Sequence, residues 1–274
     1  MRTIKYALTI LIITAFSFSS CNNQVSYHQT KTPMIKEENI AYKADSANLN
    51  GFMAFDSSFT AKRPVVIIIH EWWGLNDYVK SRARQLAEMG YLAFAIDMYG
   101  DGKMGNNPGE ASNLAMPFYQ NPQLAKGRFD AAMALIKANS MADLDKTAAI
   151  GYCFGGSMVL NMARMGGDLK GVVSFHGNLI GVAADKSLLK AKILVCHGAD
   201  DQFVKPEEVE QFKKQMDSIG ADYKFISYPG STHAFSNPNA SKMGEQFKIP
   251  IAYNAAADSA SWKDMQDFFG RIFK

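Results

Sequence analysis

From residue 61 onward, short runs of unbroken apolar residues alternate with stretches in which apolar residues return every three or four positions. The runs VVIII (65–69), YLAFAI (91–96), AAIGY (148–152), GVVSF (171–175), KILVC (192–196) and YKFISY (223–228) predict strands. Their hydrophobicity is continuous rather than alternating, which implies strands covered on both faces, as in a parallel sheet. Between them lie helical stripes. Val79, Ala83, Leu86 and Ala87 form one, ended by Gly90, and Phe129, Met133 and Ile136 form another. Val209, Phe212, Met216 and Ile219 form a third, opened by Pro206 and closed by Gly220, and Trp262, Met265, Phe269 and Ile272 form the last. Each stripe has the spacing of a core-facing helix surface, with proline and glycine at the ends that favour them. Upstream, IAYKA (40–44) and NGFMAF (50–55) around DSANLN predict an antiparallel entry pair. The sum is a single α/β domain over residues 39–274, a doubly wound, mostly parallel sheet with helices on both faces. No internal repeat is visible.

Composition changes this picture little until the N-terminus is considered. Lysine and arginine total 29 against 26 acidic residues, and they are scattered rather than clustered, which argues against a nucleic-acid partner. Part of the positive balance belongs to a leader. Arg2 and Lys5 precede the apolar run ALTILIITAFSF, which is followed by SSC ending at Cys21. A basic start, a short apolar segment and small residues before a cut site predict a bacterial export signal over residues 1–20. The run is short for a bilayer span. Cys21 directly after the small residues resembles a lipoprotein signal, although Phe18 stands where leucine is usual. On that reading Cys21 carries lipid, and residues 21–38 form a flexible tether to an extracytoplasmic domain. Of the three cysteines, Cys153 and Cys196 then remain, too few for a disulfide framework.

The candidate chemistry begins at GYCFGG (151–156). Cysteine stands between glycines at the end of a predicted strand and before a predicted helix, the setting of a nucleophile elbow. A helix N-terminus favours a nearby thiolate. Further on, VCHGADDQFV (195–204) places Asp200 and Asp201 after another strand, and YPGSTHAF (228–235) places His233 after the final one. Nucleophile, acid and histidine follow in the chain order of α/β-hydrolases. The amide of Phe154, next after the cysteine, is a candidate oxyanion donor, and IIIHEWWGLND (67–77) follows the strand whose loop gives the other.

The stretches HEWWGLND, GYCFGG, HGADDQFV and STHAF resemble those of the dienelactone hydrolase family, as do AIDMYG (95–100) and AYNAAADSASW (252–262). The resemblance runs from residue 40 to the C-terminus and implies an α/β-hydrolase fold. It also implies a Cys153 nucleophile, a His233 base and Asp201 as the orienting acid, since Asp201 stands three residues before Val204. Asp200 is then a turn residue. Glu71 matches a glutamate that in the family contacts the cysteine and is tied to its switching between thiol and thiolate, and the amide of Trp72 matches the first oxyanion donor. The implied activity is cleavage of esters or lactones without cofactor or metal. A broad carboxylesterase or a silent ligand-binding lipoprotein are the alternatives. The family's substrate-binding arginines have no match in the stretch 98–122, where Lys103 is the one cation.

The remaining candidates carry expectations of their own. Trp73 and His176 are placed at the substrate pocket, and His70 and His197 are expected to hold loops by hydrogen bonds. Cys196 is expected to be a packed core thiol, separated by one strand from Cys153 and so unbridged. The stretch 98–122 is expected to be a long loop rimming the site. The expected partners are a small ester or lactone and a membrane reached through the lipidated N-terminus, with the chain a monomer.

Overall fold

The computed structural model describes residues 32–274. The expected signal segment, Cys21 and most of the expected tether lie outside the described residues. Where the tether enters them, the expectation needs correction. Strand β1 (Ile35–Ala44) already includes residues 35–38 and pairs along its whole length with β2 (Ala47–Asp56), closed by a two-residue turn at Asp45 and Ser46. The segment KEEN at 36–39 is polar because β1 is an edge strand, and edge strands keep charge where one side has no neighbour.

Six more strands complete the sheet: β3 (Arg63–Ile69), β4 (Leu92–Ile96), β5 (Ala142–Tyr152), β6 (Gly171–Phe175), β7 (Lys192–Gly198) and β8 (Tyr223–Tyr228). Their order is β1-β2-β4-β3-β5-β6-β7-β8, with β2 antiparallel to β4 and every pair from β4 onward parallel. The unbroken apolar runs follow from this position. In β3, Val65, Ile67 and Ile69 enter one core layer while Val66 and Ile68 enter the other. Helices α3 (Pro122–Lys137), α4 (Phe154–Arg164) and α5 (Pro206–Ile219) cover the first face, with Phe129, Met158 and Phe212 in its core. Helices α1 (Asp77–Glu88) and α7 (Ala255–Ile272) cover the second, through Val79, Leu86, Met265 and Phe269. The expected doubly wound α/β architecture is the one observed.

Two helices were not anticipated. The stretch expected as a long loop contains α2 (Pro108–Gln120), and α6 (Ala240–Phe247) lies downstream of His233. Helix α2 carries Gly109, Asn113 and Pro117, all poor interior helix formers. It is held by the burial of Ala111, Ala115 and Phe118, and its first turn is well capped. The Asn107 side chain accepts from the Glu110 amide at 3.0 Å, and the Glu110 carboxylate reaches back to the Asn106 amide, also at 3.0 Å.

The sheet order sets the location of the site. From β3 the chain passes to β4 on one side, then returns to β5 on the other, so the connections diverge above the carboxyl ends of β3 and β5. Such a divergence opens a crevice. Ile69 and Gly151 pair directly, so the residues that follow each strand emerge side by side into it.

Candidate active site

Cys153 sits between β5 and α4 with φ 52° and ψ −113°. That left-handed conformation is costly for a residue with a side chain, and it persists only where the surroundings impose it. Two features impose it here. A side-chain carbon on Gly155 would collide with the Ile69 carbonyl, so glycine alone lets α4 start hard against the end of β3. The Cys153 amide is also tied down, donating to Phe175 O at 3.0 Å and to His176 Nδ1 at 3.1 Å. The thiol is left half-buried on the wall of a cavity of about 380 Å³.

His176 stands behind this elbow and away from the cavity, which corrects its expected place at the pocket. It is fully buried. Its Nδ1 accepts from the Cys153 amide, so Nε2 carries the proton and donates to Ser236 Oγ at 2.8 Å. Ser236 Oγ is in turn 2.8 Å from the Tyr78 hydroxyl. Burial holds His176 well below the usual imidazole range, aided by the neighbouring charge of His233, so it acts as a neutral acceptor.

His233 lies in the loop after β8, and its Nδ1 is 2.8 Å from Asp201 Oδ2. The other Asp201 oxygen accepts from the Phe203 amide at 2.8 Å, which fixes the carboxylate's orientation. Burial would raise the Asp201 pKa, but the hydrogen bond from His233 and the charge beside it outweigh burial and hold it below the usual carboxylate value. For His233 the balance is similar. Burial disfavours its charge, yet Cys153 and Asp201 together raise it well above the usual imidazole range. Cys153 and His233 line the same cavity while Asp201 holds His233 Nδ1, the arrangement that a relay of nucleophile, base and orienting acid requires. Asp200 occupies the exposed turn before Asp201, as expected.

The loop after β3 brings Glu71, Trp72 and Trp73 to the same cavity. Glu71 is 1% exposed, and its carboxylate accepts from Asn237 Nδ2 at 2.7 Å. Burial pushes its pKa up to about 7, opposed by that hydrogen bond and by the charges of His233 and Arg82. Among the described residues, neither the Trp72 amide nor the Phe154 amide has a protein acceptor. Phe154 opens α4, where amides have no partner within the helix and face an incoming negative charge favourably. Trp73 lines the cavity and stacks on Phe247 of α6, with ring centroids 5.8 Å apart.

The other histidines divide. His70 holds loops as expected: Nδ1 donates to Glu71 O at 2.6 Å, and Nε2 accepts from the Met98 amide at 3.3 Å. Burial lowers its pKa to about 4, which keeps it neutral in that role. His197 does not, since its buried Nδ1 has no partner among the described residues and its ring packs on Phe225. Cys196 is a buried free thiol, pushed up to about 12 by burial, with β6 between its strand and that of Cys153. Among the described residues no cluster of histidine, cysteine and acidic side chains could hold a metal, and no helix is long and apolar enough to cross a membrane.

Several cavity residues were missed from sequence. Met116 and Tyr119 come from α2, and Asn178 and Ile251 from loops. Asn107–Pro108 followed by Glu110 was the signal for α2. Asn237 and Ser236 gave no signal, because their roles depend on Glu71 and His176 far away in the chain.

A parallel sheet with a cysteine elbow after β5, an acid after β7 and a histidine after β8 defines an α/β-hydrolase. The model of the dienelactone hydrolase family matches residues 49–273, and the chain belongs to that family. It is thus a hydrolase acting on ester or lactone bonds. Among relatives, it is 31% identical to Protein usf of Aquifex pyrophilus, over 70% of this chain and 84% of that one. Among solved structures it is similar to the dienelactone hydrolase-like promiscuous phosphotriesterase P91 from metagenomic libraries. That match has a TM-score of 0.82 at 32% identity, covering 87% of this chain and 98% of the other. The structure named m3DLH matches with a TM-score of 0.83 at 30% identity, over 88% and 99%.

Proposed function

We propose that the chain cleaves carboxylic esters or lactones through a Cys153–His233–Asp201 relay and an acyl-thioester. His233 takes the proton from the Cys153 thiol, and the thiolate attacks the substrate carbonyl. The carbonyl oxygen becomes an oxyanion held by the amides of Trp72 and Phe154. The oxyanion collapses, the C–O bond to the alcohol breaks, and His233 returns the proton to the leaving oxygen. His233 then takes a proton from water, hydroxide adds to the thioester, and the acid leaves as Cys153 is restored. Asp201 holds the ring orientation and supports the imidazolium formed twice in each cycle. Glu71, buried against the same cavity, sets the charge that the thiolate meets. The observation that carries this reading is the 2.8 Å contact of His233 Nδ1 with Asp201, joined to the place of Cys153 and His233 on the wall of one cavity.

The test is hydrolysis of 4-nitrophenyl acetate by the protein and by Cys153→Ala, with mass spectrometry of the quenched reaction. Turnover lost in the variant, with an acetyl adduct on Cys153 in the wild type, is the expected result. Activity surviving Cys153→Ala overturns it. We propose also that Cys21 is lipidated and holds the enzyme, as a monomer, on the extracytoplasmic side of a membrane. Cys21→Ala expressed in a bacterial host should move the protein from the membrane to the soluble fraction.

A further inference from the structure

The walls of the active-site cavity describe the substrate. Trp72 and Trp73 meet edge to face at 5.0 Å, and Met116, Tyr119, Phe203 and Ile251 continue the apolar surface around the mouth. Met116 and Phe203 each keep 43% of their surface exposed there. The ionisable lining residues are Glu71, Cys153, His233 and the phenol of Tyr119, and Asn178 is the one neutral amide. Among the described residues, no lysine or arginine lines the cavity.

The arginines among the described residues are committed elsewhere. Arg82 and Arg84 are bound to Asp258 and Glu37, and Arg271 to Asp222. Arg63, Arg128 and Arg164 donate to the backbone carbonyls of Asp56, Ala44 and Leu179. Lys103, on the loop whose Gly105 amide bonds Trp73 O, has its ammonium 3.5 Å from the Asp101 carboxylate. A carboxylate entering this cavity would lose its water and meet aromatic rings and Glu71 with no lysine or arginine to replace it, since the imidazole of His233 is already paired with Asp201. An unpaired ion is strongly disfavoured in such surroundings, whereas an apolar ring gains from them.

Resting on the hydrolase reading above, we infer that the substrate is an uncharged ester carrying an aromatic or bulky apolar group, and that the cavity discriminates against anionic esters. The relay supplies the reaction, and the walls supply the charge selection.

A matched pair of substrates tests this: 3-carbamoylphenyl acetate, which is neutral, and 3-carboxyphenyl acetate, its anionic near-isostere. Each kcat/KM is divided by the rate of hydroxide hydrolysis of the same ester, which removes the difference in leaving group. The wild type should favour the neutral ester by about 30-fold or more, the range expected when a polar group is buried unpaired. In Met116→Arg, with a cation at the mouth, that preference should fall by about tenfold. Phe203→Lys, on a different wall, gives the same readout should α2 not tolerate the arginine. Cys153→Ala is run on both esters. Comparable wild-type rates on both, lost in Cys153→Ala, overturn the charge selection and leave the hydrolase reading intact. Rates that do not depend on Cys153 overturn that reading, and this one with it. A preference unchanged in both cationic variants overturns the apolar wall as its cause.

Discussion

Glu71 gives the most direct physical test of how this site is built. Its carboxyl is 1% exposed, and burial moves its pKa from an ordinary 4.5 up to about 7. Between those values the folded protein holds a proton that the unfolded chain has lost. Stability contributed by this group is therefore fully present below about 4.5, and it falls as pH rises until the folded-state value of about 7 is passed. The whole fall amounts to about 3 kcal/mol. Glu71→Gln removes the ionisation and keeps an oxygen that can accept from Asn237 Nδ2. The assay is thermal unfolding of both proteins at a series of pH values from acid to mildly alkaline. Near pH 4.5 the two should unfold together; by about pH 8 the variant should be more stable by up to about 3 kcal/mol, or about 6–12 °C in Tm for a domain of this size. Other groups titrate in the same range, but they are common to both proteins and cancel in the difference. A Tm difference that stays constant across the series would refute the reasoning, because it would mean Glu71 has the same proton affinity folded and unfolded.

Three further outcomes follow from the same geometry. Asp201→Asn should lower kcat about a thousandfold or more with little change in folding, since the amide disturbs the proton arrangement that orients His233; steady-state kinetics beside a melting curve checks both. Gly155→Ala should cost about 3 kcal/mol in urea unfolding, because the added carbon meets the Ile69 carbonyl, a backbone atom with no room to give. Asp258→Ala should cost about 3 kcal/mol by the same measurement, because it strands the buried Arg82 guanidinium, whose side chain is 6% exposed.

The centre of the sheet was legible from the sequence because its strands there are covered on both faces. A strand such as VVIII carries no polar position to break the run, and Pro64 marks its start. The entry hairpin was harder to place. β1 alternates exposed and half-buried residues at the sheet's edge, so its opening residues KEEN look like tether until their pairing with β2 is known. Helix α2 was hidden for the opposite reason, since glycine, asparagine and proline inside it outweighed the cap at Asn107. There the packing of Ala111, Ala115 and Phe118 against the core decides the structure, and a local sequence cannot show it.

The site divides along the same line. Cys153, Asp201 and His233 were visible because each stands at a strand end, in an order that the connectivity fixes. His176 also stands at a strand end, and on that ground alone it was placed in the pocket. Its φ of 41° turns the chain there, and its ring points under the elbow rather than over it. What separates His176 from His233 is the company each keeps. His233 faces a carboxylate and the thiol, which favour its charge, while His176 faces an amide donor and a hydroxyl inside the core, which require it to stay neutral. The two rings are only 5.3 Å apart. A second positive charge at that distance in a buried site would oppose the first, so a neutral His176 favours the charged His233 that the proposed relay requires. That dependence arises between groups brought together by the fold, from β6 and from the loop after β8, and no spacing along the chain encodes it.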